Sequence, residues 1–237
     1  MQLEKRHAGM QILGIVGSMR KNRHTNTLVN QVISNMKLID SDVVADAIYT
    51  ADITIHPCRV VCSNYCSNNP YQCSISDDVV EILQRMIKVD ALIIGTPLYF
   101  RAPPAKFQAF IERLISIFFF FETQGDEVEE SPLKGRPCGL IGVAEYSNPH
   151  QILEYLFDFC TVLKMRPVVL EKFPYLGVAG QGDVNKDVVF DHFERSKDLA
   201  DVLVKEMQRR EARRNCEIYA FVRKSRKISA TVVPGNP

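Results

Sequence analysis

The chain has 237 residues, 46% hydrophobic and 24% charged, an ordinary globular composition that excludes intrinsic disorder and collagen-like repeats. Its 29 basic and 28 acidic side chains nearly balance, so the net charge of +1 gives no reason to expect a general attraction to nucleic acid or membranes. The opening MQLEKRHAGM lacks the apolar core of a signal peptide, and the longest apolar run, 114–121, is too short to span a bilayer. We therefore expect a cytoplasmic protein that contacts neither membranes nor nucleic acid.

Short apolar runs alternate with amphipathic stretches along most of the chain. In chain order they predict a strand at 11–16, a helix at 25–38, a weaker strand at 43–49, a helix from Asp77-Asp78, a strand at 91–95, a helix at 104–121, a strand at 137–143, a helix at 149–164, a strand at 166–171 and a helix at 187–210. Five strands alternating with helices indicate an α/β protein with a mainly parallel sheet and helices on both faces.

Three loops follow strands of this predicted sheet, at 17–25, 96–103 and 144–150. In open parallel sheets, ligands bind beyond the carboxyl ends of the strands, at the point where the strand order reverses. We therefore expect a ligand site in these loops.

The first of these loops reads GSMRKNRHTNT and combines a glycine turn, hydroxyl and amide side chains, cations and a helix start. A phosphate group needs this mixture of donors and the positive end of a helix. The loop matches neither GxxxxGK[ST] nor GxGxxG, which disfavours a nucleoside triphosphate loop and a dinucleotide turn. A phosphate site is favoured, and an ordinary capped turn is the alternative.

Four of the seven cysteines lie within sixteen residues, with the spacing Cys58-x3-Cys62-x3-Cys66-x6-Cys73. Thiols of a protein that is not exported stay reduced, so clustered cysteines indicate metal or redox ligands rather than disulfides. Four thiolates in one loop suit a [4Fe–4S] cluster or a tetrahedral zinc ion, and unligated or reversibly oxidised thiols are the remaining alternative. Cys138 and Cys160 are predicted to be small buried side chains of a strand and a helix.

Together these motifs resemble a known family. The first loop resembles the GSPRxxSNT-type loop of flavodoxin-like NAD(P)H-dependent FMN reductases, and ALIIGTPLYFRAPPAKFQAFIERL resembles the strand–G[ST]PxYxxxxxxxLKxFIDR stretch of that family. The segment between them is similar to the cysteine-rich insertion of the iron–sulfur flavoproteins in that group, with the first two gaps each one residue longer. Over roughly residues 11–200, the resemblance implies a flavodoxin-like five-stranded parallel sheet in the order 2-1-3-4-5 with helices on both faces.

The resemblance also implies cofactors and the residues that would bind them. The FMN phosphate would contact Ser18, Arg20, Thr25, Asn26 and Thr27. The isoalloxazine ring would be lined by Thr96, Pro97, Leu98, Tyr99 and Phe100, with Ala144, Glu145 and Tyr146 from the third loop. Core aromatics at a helix entry are the alternative for Tyr99 and Phe100. A [4Fe–4S] cluster would be ligated by the four clustered cysteines, Cys58, Cys62, Cys66 and Cys73.

The implied function is an FMN-dependent oxidoreductase that passes electrons between NAD(P)H or an electron carrier, FMN and a [4Fe–4S] cluster. No side chain is assigned as a catalytic acid or base, because the cofactors supply the chemistry. The alternatives are an NAD(P)H:FMN or quinone reductase without a cluster and a non-enzymatic redox sensor that binds flavin or a cluster. A redox carrier protein is an expected partner, and the relatives are dimers or tetramers, so we expect a homodimer or homotetramer.

The predicted domain organisation has three parts: an N-terminal extension at 1–10, an FMN-binding domain at 11–204 with the cysteine-rich insertion at 57–75, and a basic C-terminal tail at 205–237. Residues 205–227 hold nine Lys or Arg and three Glu, a local charge of +6. The tail is interpreted as an arm on a partner subunit, a patch for an anionic partner or a solvated helix end. The phenylalanine run at 118–121 predicts a subunit interface or a helix end covered by the following loop.

Overall fold

A parallel β-sheet between two layers of helices organises the chain in the computed structural model. The structure describes residues 9–59, 63–69, 71–117, 131–182 and 193–230. In chain order the elements are β1 (Gln11–Val16), α1 (His24–Ile39), β2 (Val44–Tyr49), α2 (Ser63–Asn68), α3 (Val79–Lys88), β3 (Ala91–Pro97), α4 (Ala105–Arg113), β4 (Pro137–Ala144), α5 (His150–Val162), β5 (Arg166–Pro167), β6 (Val178–Gln181) and α6 (Phe193–Ala230).

The strands lie in the order β2-β1-β3-β4-β5, which confirms the predicted order. The fifth position of the sheet is shared by two short strands. β5 pairs with the start of β4, where Arg166 lies opposite Pro137, and β6 pairs with its end, where Val178 lies opposite Ile141. The described sheet therefore has six strands rather than five.

The predicted strand at 166–171 is wrong beyond Pro167. The Val168 amide still donates to the Cys138 carbonyl of β4 at 2.9 Å, and the chain then leaves the sheet, with the Leu170 amide donating to the Tyr175 carbonyl at 2.8 Å. Val168 and Leu170 are nevertheless buried. The apolar pattern that predicted a strand is thus explained by burial in the core, which does not require pairing in a sheet.

Both faces of the sheet are covered, as the uninterrupted apolar sequence of β3 predicts. On one face Leu92 and Ile94 pack in a core with residues of α3, α4 and α5. On the other face Ile93 packs in a second core with residues of α1 and α6. Successive β3 side chains alternate between these two cores, as the pleat of a strand requires.

The C-terminal helix is longer than predicted: α6 ends at Ala230 rather than Arg210, and the predicted start at 187 lies outside the described residues. It packs against α1 and β4, with Leu203 and Met207 buried. The carboxylate of Glu206 pairs with Arg166 at 3.1 Å. The helix therefore crosses the predicted boundary between domain and tail, and that division stays a prediction, as does the role of 118–121, which is not described.

None of the described helices combines the length and the apolar character that crossing a bilayer requires.

Leu203→Ala tests whether α6 is part of the folded domain. The side chain is fully buried, and the Leu203 Cδ1 atom lies 2.7 Å from where a Cβ would stand on Gly139. We expect the substitution to lower the free energy of unfolding by about 2–5 kcal/mol, measured by urea denaturation. The exposed control Lys197→Ala should change it by less than about 0.5 kcal/mol. Equal effects of the two substitutions would contradict this packing.

Candidate functional site

The loops after β1, β3 and β4 meet at the carboxyl edge of the sheet. Val16 lies opposite Gly95, and Pro97 lies opposite Val143. The Gly17 amide then donates to the Gly95 carbonyl at 2.7 Å, and the Leu98 amide donates to the Val143 carbonyl at 2.7 Å. The strand order reverses between β1 and β3, so the structure brings the three predicted loops together at the switch point of the sheet.

Gly17 allows the first two loops to touch. A Cβ at this position would lie 2.7 Å from the Phe107 ring and 2.7 Å from the Thr96 hydroxyl. Both neighbours are fully buried, so a Cβ would force a buried ring or the end of β3 to shift. Only glycine therefore permits this close approach of the loops.

The first loop is ordered by its own polar side chains. The buried Ser18 hydroxyl accepts a hydrogen bond from the Arg20 amide at 3.2 Å and donates to the Arg20 carbonyl at 3.1 Å. Asn22 has a φ of 55°, a left-handed conformation that asparagine tolerates well. The Asn26 side-chain amide donates to the Asn22 side chain at 3.1 Å. These bonds fix the loop on the start of α1.

Helix α1 begins directly after this loop. Arg23 occupies its N-cap position, and within the described chain its side chain makes no capping hydrogen bond. Thr25 and Asn26 are buried in the first turn. Thr27 is exposed instead, and its hydroxyl donates to the Arg23 carbonyl at 3.3 Å. The first turn thus presents the positive end of a helix without a side-chain cap from the N-cap residue, which suits an anion.

Arg20 connects the first loop to the second. Its Nε donates to the Tyr99 hydroxyl at 3.3 Å, and its guanidinium lies 5.8 Å from the centre of the Tyr99 ring. Lys21 instead pairs with Asp52. Of these two cations, Arg20 is the one directed to the second loop.

The second loop contains a tight turn that projects one aromatic ring. The Tyr99 amide donates to the Ala102 carbonyl at 2.7 Å, and the Ala102 amide donates back at 3.0 Å. Between them Phe100 and Arg101 have φ values of 48° and 67°, the arrangement of a type I′ turn. Phe100 is completely exposed, so the core-aromatic alternative is wrong for this residue. Thr96 and Leu98, by contrast, are buried below the turn.

The third loop is held by β6. The Gly182 amide donates to the Ala144 carbonyl at 2.7 Å, and the Gln181 side chain donates to the Glu145 carbonyl. Ala144 is buried, whereas the Tyr146 side chain is 90% exposed. The Tyr146 side chain therefore lies on the solvent-exposed side of the third loop.

A group of aromatic rings beside the third loop was not predicted from the sequence. The rings of His150 and Phe173 lie 4.4 Å apart, and Tyr175 meets Phe173 edge-on at 6.0 Å. Phe173 and Tyr175 are mostly exposed, and Phe173 and His150 line an open cavity of about 540 Å³ together with Arg195. Their position in a segment that leaves the sheet explains why strand periodicity did not reveal them.

The cysteine-rich insertion is described only in part. Cys66 is buried, Cys58 and Cys73 are partly exposed, and Cys62 lies outside the described residues. Among the residues that the structure places, no three His, Cys, Asp or Glu side chains are close enough together to hold a metal ion. The donors are chemically suited to an iron–sulfur cluster, since all are thiols on one segment, but the three described cysteines do not converge on one point.

A buried ion pair lies at the base of the insertion. Arg113 at the end of α4 donates to both carboxylate oxygens of Asp77, at 2.7 and 3.0 Å, and both side chains are fully buried. Burial by itself would raise the pKa of Asp77, but hydrogen bonds from Arg113 and from the amides of His56 and Val79 hold that pKa below its usual value. The sequence pattern predicted only a helix start at Asp77 and gave no sign of this pair.

Cys138 and Cys160 are both fully buried, as predicted. Burial, followed by the hydrogen bond to Cys138, raises the pKa of the Cys160 thiol well above its usual value. A neutral, buried thiol is a poor nucleophile, so these two cysteines serve the core.

The sheet order and the loops at its switch point define a flavodoxin-like α/β protein. The chain belongs to the NADPH-dependent FMN reductase family, whose model matches residues 10–174.

Comparison with known proteins gives similar relatives. The chain is 32% identical over 104 residues to an iron–sulfur flavoprotein of Methanocaldococcus jannaschii, covering 44% of this chain and 51% of that protein. It is 26% identical over 106 residues to an iron–sulfur flavoprotein of Methanosarcina thermophila, covering 45% and 53%. The chain thus spans about half the length of the curated relatives it matches.

Among solved structures, RosB with bound 8-demethyl-8-formylriboflavin-5′-phosphate is similar in fold, with a TM-score of 0.62. The match covers 97% of this chain and 91% of RosB, at 14% sequence identity. The likeness extends the fold assignment over nearly the whole chain.

Replacing the turn residues tests the strain in the second loop. Left-handed φ is costly for residues with a Cβ, and type I′ turns favour Asn-Gly. We expect Phe100→Asn with Arg101→Gly to raise the free energy of unfolding by about 1 kcal/mol, measured by urea denaturation. Arg101→Ala keeps the Cβ and should give no such gain. A double variant no more stable than the parent would contradict the turn geometry.

Proposed function

We propose that the protein is an NAD(P)H-dependent flavin oxidoreductase that binds FMN at the edge formed by the three loops. Family membership supports the reaction class. The single observation that carries the binding site is the close approach at Gly17, whose amide donates to the Gly95 carbonyl at 2.7 Å and where a Cβ would lie 2.7 Å from the Thr96 hydroxyl. This approach packs the phosphate-type loop against the end of β3 at the switch point.

The FMN phosphate is proposed to bind in the first loop. The buried Ser18 hydroxyl, the cation of Arg20 and the first-turn residues Thr25 and Asn26 supply the donors and positive potential that a phosphate needs. Thr27 belongs to the same proposed set. To donate to the phosphate, the Ser18 hydroxyl would have to leave the Arg20 carbonyl, and the Thr27 hydroxyl would have to leave the Arg23 carbonyl.

The flavin ring is proposed to bind against the second and third loops. The residues of the proposed lining are Thr96, Pro97, Leu98, Tyr99, Phe100, Ala144, Glu145 and Tyr146. The exposed rings of Phe100 and Tyr146 offer flat apolar surface at this edge, and the hydrogen bond from Arg20 to Tyr99 connects it to the phosphate loop. Bound FMN supplies an acceptor for a hydride and a donor of single electrons, so the protein's part is to orient the flavin.

We also propose a [4Fe–4S] cluster on Cys58, Cys62, Cys66 and Cys73. Support comes from the four thiols on one segment and from relatives that are named iron–sulfur flavoproteins. Such a cluster supplies single-electron transfer to an acceptor, in keeping with a redox carrier protein as partner. The exposed aromatic residues at the carboxyl edge, Phe100, Tyr146, Phe173 and Tyr175, support a homodimer or homotetramer.

An NAD(P)H:FMN or quinone reductase without a cluster is the second candidate function. One observation favours it: the described cysteines of the insertion are not grouped as metal ligands.

The test is the spectrum and composition of protein purified without oxygen. We expect flavin absorption bands, iron and labile sulfide together, and bleaching of the flavin bands on addition of NADPH or NADH. Flavin without iron or sulfide would favour the second candidate. Failure to bind FMN after reconstitution would contradict both candidates, and flavin that neither nucleotide bleaches would contradict NAD(P)H as the donor.

Ser18→Ala tests the phosphate loop. The substitution removes a buried hydroxyl that orders the loop, so we expect FMN affinity to fall about tenfold, equivalent to about 1.4 kcal/mol. Quenching of FMN fluorescence by the apoprotein measures this affinity. The control is Ser34→Ala, which removes an exposed hydroxyl on α1 that donates to the Asn30 carbonyl and should leave the affinity unchanged. Unchanged affinity in Ser18→Ala would remove Ser18 from the proposed site.

A further inference from the structure

The open cavity of about 540 Å³ beside the third loop has no role in the proposed flavin site. Among the described residues that line it are none of those proposed to bind FMN. Its walls come from the third loop and the start of α5, from the segment at 173–174, from the end of β6 and from the start of α6. Binding sites for small molecules and cofactors are pockets of roughly this size. The cavity therefore has room for one part of a dinucleotide.

Phe173 gives the cavity a flat apolar surface. The His150 ring lies 4.4 Å from the Phe173 ring at a tilt of 42°, and Tyr175 meets Phe173 edge-on at 6.0 Å. These contacts hold the ring in place, although 60% of the Phe173 side chain is exposed. Planar bases stack on aromatic side chains that are presented in this way. The ring therefore suits a planar ligand such as a nucleobase.

Arg195 gives the same cavity a positive charge. Its guanidinium lies 3.4 Å from the carboxylate of Asp198, which is 50% exposed and follows it on α6. A long, exposed ion pair of this kind is weak, so it competes little with an anionic ligand. None of the described residues that line the cavity is acidic. Since a guanidinium binds phosphate through two parallel hydrogen bonds, the cavity suits a ligand that carries both a planar ring and a phosphate.

The cavity and the proposed flavin site lie next to each other. The Gln181 side chain lines the cavity and donates to the Glu145 carbonyl of the third loop. Asn148 lines the cavity from the same loop. Ala144 and Glu145 belong to the proposed lining of the flavin ring. The remaining part of a dinucleotide whose nicotinamide lies against the flavin is therefore within reach of the cavity.

We propose that this cavity binds the adenosine phosphate part of NAD(P)H, with the adenine stacked on Phe173 and a phosphate bound by Arg195. The inference rests on the proposed function, in which NAD(P)H reduces the bound FMN. Arg195 lies beyond residues 10–174, the part of the chain that the family model matches, so family membership does not supply this residue. NADPH carries a 2′-phosphate that NADH lacks, and the two nucleotides therefore report which phosphate Arg195 binds.

Three substitutions test the two contacts. Arg195→Gln removes the charge, Arg195→Lys keeps the charge without the planar fork, and Phe173→Leu keeps apolar bulk without the aromatic face. The matched control is Lys197→Gln, which removes an exposed cation of α6 that does not line the cavity. Because Arg195 and Phe173 are partly exposed, we expect every variant to fold, and an unchanged FMN affinity checks this.

Two measurements are made on the full chain loaded with FMN. The rate of flavin bleaching as a function of NADPH or NADH concentration, without oxygen, gives an apparent Kd and a maximal rate. Isothermal titration calorimetry gives the Kd of 2′,5′-ADP, which carries the adenine and the phosphates but cannot reduce the flavin. Bound FMN occupies the proposed phosphate loop, so binding of 2′,5′-ADP reports a different site.

We expect Arg195→Gln to raise the Kd of NADPH and of 2′,5′-ADP about tenfold and to leave the maximal rate unchanged, because the lost contact is remote from the flavin. Arg195→Lys should lie between Arg195→Gln and the parent. Phe173→Leu should weaken NADPH and NADH alike by about tenfold, since both carry adenine. Lys197→Gln should match the parent. A loss in Arg195→Gln confined to NADPH assigns the 2′-phosphate to Arg195, and an equal loss with NADH assigns the diphosphate.

The outcomes separate this site from the proposed function. If the parent flavin is bleached and Arg195→Gln binds both nucleotides and 2′,5′-ADP as tightly as the parent, the cavity site is overturned and the proposed function stands. Equal losses in Arg195→Gln and Lys197→Gln would reveal a general charge effect and also overturn the site. A parent that binds 2′,5′-ADP through Arg195 but is not bleached contradicts only NAD(P)H as the donor. A parent that is not bleached and does not bind 2′,5′-ADP contradicts both.

Discussion

The parallel pairing of β1 with β3 is the contact on which the candidate site depends. It places the strand-order reversal between these strands and brings the ends of both to one edge. Gly17 must then pass within contact distance of Thr96 and Phe107, where no Cβ fits. This register and the pairing of β3 with β4 together bring the donors of the first loop, the aromatic turn of the second and the exposed end of the third to one edge of the sheet.

Helix α4 connects this edge of the sheet to the base of the cysteine-rich insertion. It begins just after the turn at Tyr99, packs Phe107 under Gly17 and ends at Arg113, which binds Asp77 at the base of the insertion. Nine residues of helix span roughly 13 Å at about 1.5 Å per residue. One short helix thus contributes residues next to both proposed cofactor sites.

The two proposed functions differ in whether the cysteine-rich insertion binds an iron–sulfur cluster. The pair of Arg113 with Asp77 closes the base of the insertion under either function, because Arg113 also donates to the carbonyls of His56 and Ile75. The dispersed placement of Cys58, Cys66 and Cys73 is what a cluster-free enzyme would show. Binding of iron by the four thiols would draw these cysteines together, in the way that metal binding completes other small sites.

Local sequence patterns predicted β1 at its observed bounds, the other central strands to within a few residues and the three loops of the site, because apolar periodicity and turn residues act over short distances along the chain. The resemblance to a family, rather than periodicity, supplied the strand order. Only the tertiary structure revealed the pair of Arg113 with Asp77, which are 36 residues apart, and the early end of β5. Ion pairing and sheet pairing between distant segments depend on which surfaces meet after folding, and a local sequence pattern does not indicate which segments those are.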